Sequence, residues 1–154
     1  MSWRQLSLRA LFLLFLLASL GLGAYVLVPR YWLEHKLSQT SGDTSFEAWP
    51  ALRRLLEQQD SCRSELWRLS LEACFKMIGV HDDSLTPLEV EMGFPAAVRG
   101  SLGLYPSAGD DSYANEYYFR AVRIGDAWLI TELHSEGEVL LRQPVRAAAS
   151  GAAR

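Results

Sequence analysis

A chain of 154 residues, 49% hydrophobic and carrying a formal charge of −3, has room for one ordinary domain and no second core. Three of the fifteen basic residues, Arg4, Arg9 and Arg30, flank an apolar run near the start, whereas all eighteen acids follow that run. The remainder is mildly acidic with scattered bases, which excludes the basic footprint of a DNA or RNA groove; no nucleic-acid partner is expected.

From Ala10 to Val28 no residue is charged. As a helix this segment measures roughly 28 Å, close to the ~30 Å hydrocarbon core of a bilayer, and Pro29 and Arg30 predict its end. A cleaved signal peptide is the alternative, with small residues between Ser19 and Gly23 as cleavage sites, but the apolar run continues to Val28, longer than a signal core. Arg4 and Arg9 precede the run with no acid beside them, so residues 1–9 are expected in the cytoplasm. Residues 29–43 then read as a linker, 44–143 as a periplasmic domain and 144–154, rich in alanine, as a disordered tail. The architecture and composition point to a bacterial inner membrane, with residues 10–28 in contact with lipid.

Beyond the linker, Thr44 and Glu47 have the spacing of a capping box, and Leu52, Leu55 and Leu56 predict an amphipathic helix over 50–59. A second helical pattern runs from Ser64 to Ile78 through Leu66, Leu69, Ala73 and Met77, with Gly79 as its stop. Leu88, Val90 and Met92 alternate with Glu89, Glu91 and Gly93 and predict a strand. Further strands are expected at 97–105, 117–124, 127–133 and 139–142, the middle pair joined by a tight turn at Gly125-Asp126. Helices first and antiparallel strands afterwards define an α+β fold, two helices packed on a curved sheet of four or five strands.

Cys62 and Cys74 form an even pair. On one straight helix they would lie roughly 18 Å apart, beyond the ~7 Å limit for a bridge, so a disulfide requires a turn between them; two separate buried thiols are the other outcome.

The hairpin Tyr117-Tyr118-Phe119-Arg120-Ala121-Val122-Arg123-Ile124-Gly125-Asp126-Ala127-Trp128-Leu129-Ile130 resembles the closing strands of many domains in the nuclear-transport-factor-2-like (NTF2-like, cystatin-like) superfamily. In those domains a Gly-Asp or Asp-Gly turn precedes Trp-hydrophobic-Ile. The resemblance implies a cone-like α+β domain, and the superfamily hosts both enzymes and non-catalytic scaffolds. Its layout is then similar to the bitopic periplasmic scaffold subunits of type IV secretion machines, although this chain is shorter.

A two-residue turn fixes a register in which Arg123 faces Trp128, Ala121 faces Ile130, Phe119 faces Glu132 and Tyr117 faces His134. On that register Phe119, Arg123, Trp128 and Ile130 are the expected partner-binding surface, and Tyr117, Glu132 and His134 the residues of any acid-base site. His81-Asp82-Asp83 and Glu132-x-His134-x-Glu136 contain metal-ligating atom types but lack a zinc spacing, so neither metal nor cofactor is expected. The preferred expectation is an accessory or scaffold protein that binds another envelope or membrane protein. The alternatives are an immunity or inhibitor protein against a periplasmic toxin or hydrolase, and a small NTF2-like enzyme.

Overall fold

The structure, a computed structural model, describes residues 8–39, 46–107 and 109–143. The chain divides into two units, residues 1–35 and 36–154. Helix α1 (Leu8–Gln39) continues through Pro29, where the apolar run alone predicts an end. Proline removes one backbone hydrogen bond, but the next turn is held by i,i+4 pairs: Arg30 Nε donates to Glu34 Oε1 at 3.1 Å, and the Tyr31 and His35 rings stack at 6.5 Å. Much of the expected linker is therefore helical, and residues 40–45 lie outside the described residues. The stretch Leu8–Leu37 is long and apolar enough to cross a membrane, a test that a signal sequence also passes. Leu13, Leu14, Phe15 and Leu17 are exposed. The proposed Thr44 cap and the tail beyond Gln143 also fall outside the described residues.

The second unit has the expected α+β class. Helix α2 (Trp49–Gln58) starts with Pro50 in its first turn and buries Trp49, Leu52 and Leu56; α3 (Asp60–Arg68) buries Cys62 and Leu66. Lys36 is itself buried, and its Nζ donates to the Leu66 and Leu69 carbonyls, each at 2.6 Å. Those contacts satisfy acceptors that α3 leaves at its C-terminus.

The predicted helix over 64–78 is not formed as one element. Helix α3 ends at Arg68, a turn follows in which Ala73 N donates to Ser70 O at 3.1 Å, and strand β1 (Cys74–Asp83) takes the rest. The helical spacing of Ala73 and Met77 is overridden by tertiary pairing: Phe75 lies opposite Leu104 and half-buried Met77 opposite Leu102, with Phe75, Leu102 and Leu104 buried. Gly79, read as a helix stop, sits instead at a β-bulge.

The strand expected at Leu88–Met92 is a short helix, α4 (Pro87–Glu91). Thr86 and Glu89 form a complete capping box, with Thr86 N donating to Glu89 Oε2 at 2.7 Å and Glu89 N to Thr86 Oγ1 at 3.3 Å, and Pro87 occupies the first helical turn. The alternation of apolar residues there is carried by a helix that leaves Leu88 and Val90 exposed.

Strands β2 (Ala97–Tyr105), β3 (Asn115–Ile124), β4 (Ala127–Ser135) and β5 (Glu138–Arg142) match the remaining expectations. The five strands lie in sequence order, every neighbouring pair antiparallel. One face carries the main core: Phe75, Leu102, Leu104, Tyr117, Phe119, Ala121, Ile130 and Leu133, all buried. Aromatic contacts tie it to the helical side, with Trp49 and Phe75 ring centroids 6.3 Å apart and those of Phe75 and Tyr117 5.9 Å apart. Gly100 permits this packing, since a Cβ there would stand 2.6 Å from both the Phe119 ring and the Gly79 carbonyl. At one end of the opposite face Val122, Ala97 and Phe94 pack with Leu85, Met92 and Ile124.

Candidate functional site

Beside that cluster the second face forms a groove of about 340 Å³. Residues opposite one another on antiparallel strands share a face, so the register writes its floor as two rows. The first runs His81, Arg99, Arg120, Glu132 and Arg142 across β1 to β5; the second runs Gly79, Ser101, Tyr118, His134 and Val139. Ile78 adds apolar surface beside them.

The first row puts Arg99 directly opposite Arg120, two like charges on neighbouring strands. Carboxylates supplied from outside the row resolve the repulsion. Asp83 Oδ2 accepts from Arg99 Nε at 2.9 Å and from Arg120 Nε at 2.5 Å. Glu89 on α4 accepts from Arg120 Nη1 at 2.5 Å and Nη2 at 2.9 Å, and the Ser84 carbonyl accepts from Nη2 at 3.3 Å. The bond from Arg120, reinforced by the Thr86 cap, outweighs burial and holds the Glu89 carboxyl at about 2. At Asp83 burial pushes the other way, but the two arginines still keep its pKa below the usual carboxylate value. Arg120 is in turn held cationic, chiefly by Glu89.

Glu132 differs from these paired acids. His134 Nε2 lies 3.9 Å from Glu132 Oε2 and Arg142 Nε 4.0 Å from Oε1, both beyond hydrogen-bond length. Its half-buried carboxylate accepts no hydrogen bond among the described residues. Arg99 uses only its Nε, on Asp83, and leaves the two terminal nitrogens of its guanidinium without a partner among the described residues. Tyr118 is half exposed between these poles, its hydroxyl pKa raised by the neighbouring Glu116.

Of the expected acid-base set, Glu132 and His134 come together here and Tyr117 does not. The hairpin register holds from Ile124-Ala127 to Ala121-Ile130 and then shifts by one residue, Arg120 facing Glu132 and Tyr118 facing His134. Thr131 is the extra residue; it is buried, and its hydroxyl donates to the Arg120 carbonyl at 3.3 Å. The bulge carries Glu132 and His134 to the face opposite Tyr117, which points into the main core beside Cys62 and Asn115. Burial, above all, raises the pKa of the Tyr117 hydroxyl. At the turn itself only Gly125 has a positive φ, +59°, as in a type II′ hairpin.

The expected partner-binding set is also redistributed. Phe119 and Ile130 are buried in the core and present no docking surface. Trp128 is half-buried, its Nε1 donating to Glu47 Oε2 at 3.1 Å, and Arg123 Nε donates to the Gly125 carbonyl at 3.1 Å. Cys62 and Cys74 are separate buried free thiols rather than a bridge, and burial pushes the Cys62 thiol up to about 12. Among the described residues no three His, Cys, Asp or Glu side chains converge as a metal site. The groove residues that the sequence assigns to no site are Arg99, Ser101, Tyr118 and Arg120, and His81 enters there only as a metal-ligating atom type. Alternation along 117–124 groups Tyr118 with Arg120 on one face of the hairpin, but only the bulge joins them to Glu132 and His134.

No protein-family model matches the chain, and no curated protein or solved structure is found to be similar to it.

Proposed function

We propose that this chain is a membrane-tethered accessory protein of the bacterial cell envelope, whose domain binds another envelope protein through the open face of its sheet. One observation carries the reading. The sheet has a helix-covered face and, opposite it, a face where Tyr118, Ile78, Tyr113 and Val139 are exposed around a groove in which, among the described residues, two Arg99 nitrogens have no partner and Glu132 accepts no hydrogen bond. An antiparallel sheet can leave one face to water, but such a face is normally polar; exposed aromatic and aliphatic side chains grouped on it suit a protein partner.

The proposal includes orientation and placement: Arg4 and Arg9 before the apolar helix favour a cytoplasmic N-terminus and a periplasmic domain. It also keeps the NTF2-like relationship, supported by the Gly125-Asp126 hairpin within an antiparallel sheet whose other face packs on helices. A photo-crosslinking side chain placed at Tyr118, in cells, should trap one envelope protein, while the same probe at Trp67, exposed on α3, should not. Equal crosslinking from both positions, or from Trp67 alone, counts against the open face. An alkaline phosphatase fusion to the C-terminus tests the side of the membrane; an inactive fusion reverses the orientation.

A second reading is an acid-base enzyme, favoured by the 3.9 Å approach of His134 to Glu132 inside the groove. The inhibitor reading uses the same open face, and the chemistry of a trapped partner separates it from a scaffold.

A further inference from the structure

The groove is electrically polar along its first row. Arg99 stands on β2 with two guanidinium nitrogens unpaired among the described residues, and His81 and Ser101 lie beside it. Glu132 stands on β4 with a carboxylate that accepts no hydrogen bond among the described residues, His134 Nε2 lying 3.9 Å and Arg142 Nε 4.0 Å from its oxygens. Arg120, between them, is fully engaged by α4 and Asp83 and offers no third pole.

Two strand spacings separate the Arg99 and Glu132 backbones, roughly 10 Å. A dianion would be repelled by Glu132, whose oxygens still accept no hydrogen bond among the described residues, and a dication would be repelled by Arg99, whose terminal nitrogens still have room to donate. The complement is a zwitterion with its charges about 10 Å apart. Each residue of an extended peptide spans about 3.3–3.6 Å, so a tripeptide with free termini has that reach. Between the poles, Ser101 and His134 offer hydrogen-bonding groups to peptide amides, and Tyr118 and Ile78 offer apolar surface to side chains. The volume, about 340 Å³, lies at the small end of the range for ligand pockets.

We propose that the groove binds a short peptide with both termini free, about three residues long, its carboxylate on the Arg99 side and its ammonium on Glu132. The inference rests on the open face being a binding surface and adds a small ligand to it.

The test is calorimetric titration of the full chain in detergent micelles with trialanine, N-acetyl-trialanine and trialanine amide. Free trialanine should bind, and blocking either terminus should weaken binding about tenfold or more, as expected for loss of one charge-assisted contact. Glu132→Gln should abolish the penalty for acetylation but keep that for amidation, and Arg99→Gln should do the reverse. Matching circular dichroism and melting curves establish that both variants are folded. Equal binding of free and blocked peptides, or no heat with free trialanine up to about 10 mM, overturns the proposal. If trialanine fails while the Tyr118 crosslink persists, the peptide inference alone falls; if both fail, the open-face reading falls with it.

Discussion

Arg120 grips Glu89 with both terminal nitrogens, at 2.5 and 2.9 Å, and so fastens α4 to the third strand of the sheet. A bidentate, nearly solvent-free pair of this kind is costly to break from one side, because the abandoned charge stays buried. Arg120→Met should therefore destabilise the domain by about 3–5 kcal/mol. The double change Arg120→Met with Glu89→Leu should recover much of that loss, since it leaves no buried glutamate without its cation. Urea denaturation of the full chain in micelles, followed by tryptophan fluorescence, measures both; a double variant as unstable as the single one contradicts the assignment.

The same pair makes the fold acid-sensitive. Glu89 is depressed from an ordinary 4.5 to about 2, so its contribution is fully present above the unfolded value and is lost as pH falls through the folded one. The shift corresponds to stabilisation on the order of 3 kcal/mol at neutral pH. Stability should fall between roughly pH 4.5 and pH 2, with the lowered Asp83 adding in the same direction. Glu89→Gln should flatten that part of a plot of unfolding free energy against pH; an unchanged slope in the variant speaks against it.

Neighbouring residues on β3 should respond oppositely to charge. Tyr118 is exposed on the open face and Phe119 is buried on the other, against Phe46 at 5.5 Å and over Gly100. Tyr118→Glu should leave the melting temperature nearly unchanged while weakening partner capture. Phe119→Glu should unfold the domain, because an unpaired carboxylate would replace a core ring. Melting curves of both variants decide the matter.

Gly100→Ala should destabilise by about 1–3 kcal/mol, the usual range for overpacking a core. The added methyl would have to displace the Phe119 ring and the Gly79 carbonyl, each 2.6 Å away. A trimmed partner should relieve part of the strain, so Gly100→Ala with Phe119→Leu should show less than additive loss in a double-mutant cycle.

The cysteines should behave as inert, separate thiols. Burial and a pKa pushed up to about 12 deprive Cys62 of its thiolate at neutral pH. Mass spectrometry after maleimide treatment should show no labelling of Cys62 in the folded chain and full labelling in urea. Added reductant should leave the melting curve where it was; a reductant-sensitive melt points to a bridge.

Strong local signals made much of the architecture legible in the sequence. The apolar helix, α2, β2 and the hairpin around Gly125 follow from periodicity and turn chemistry, which act over a few residues. The strand at Cys74–Asp83 was hidden because Leu66, Leu69, Ala73 and Met77 are spaced for a helix, and only the distant pairing with Leu102 and Leu104 decides otherwise. Helix α4 was readable in Thr86-Pro87-Leu88-Glu89, where the cap outweighs an alternation that suggests a strand. The candidate site was half visible. Glu132 and His134 were identifiable, but one bulged residue, Thr131, determines their company and has no sequence signature of its own.

The order of the sheet has a kinetic consequence. Among the described residues each strand pairs only with its neighbour in the chain, so every such ladder can close by joining segments already close along the polypeptide. Such a topology keeps contact order low for a sheet protein and spares the entropic delay of bringing distant segments together. Refolding of this domain should be correspondingly fast for a protein so rich in strands, with little time spent as an exposed, unpaired edge.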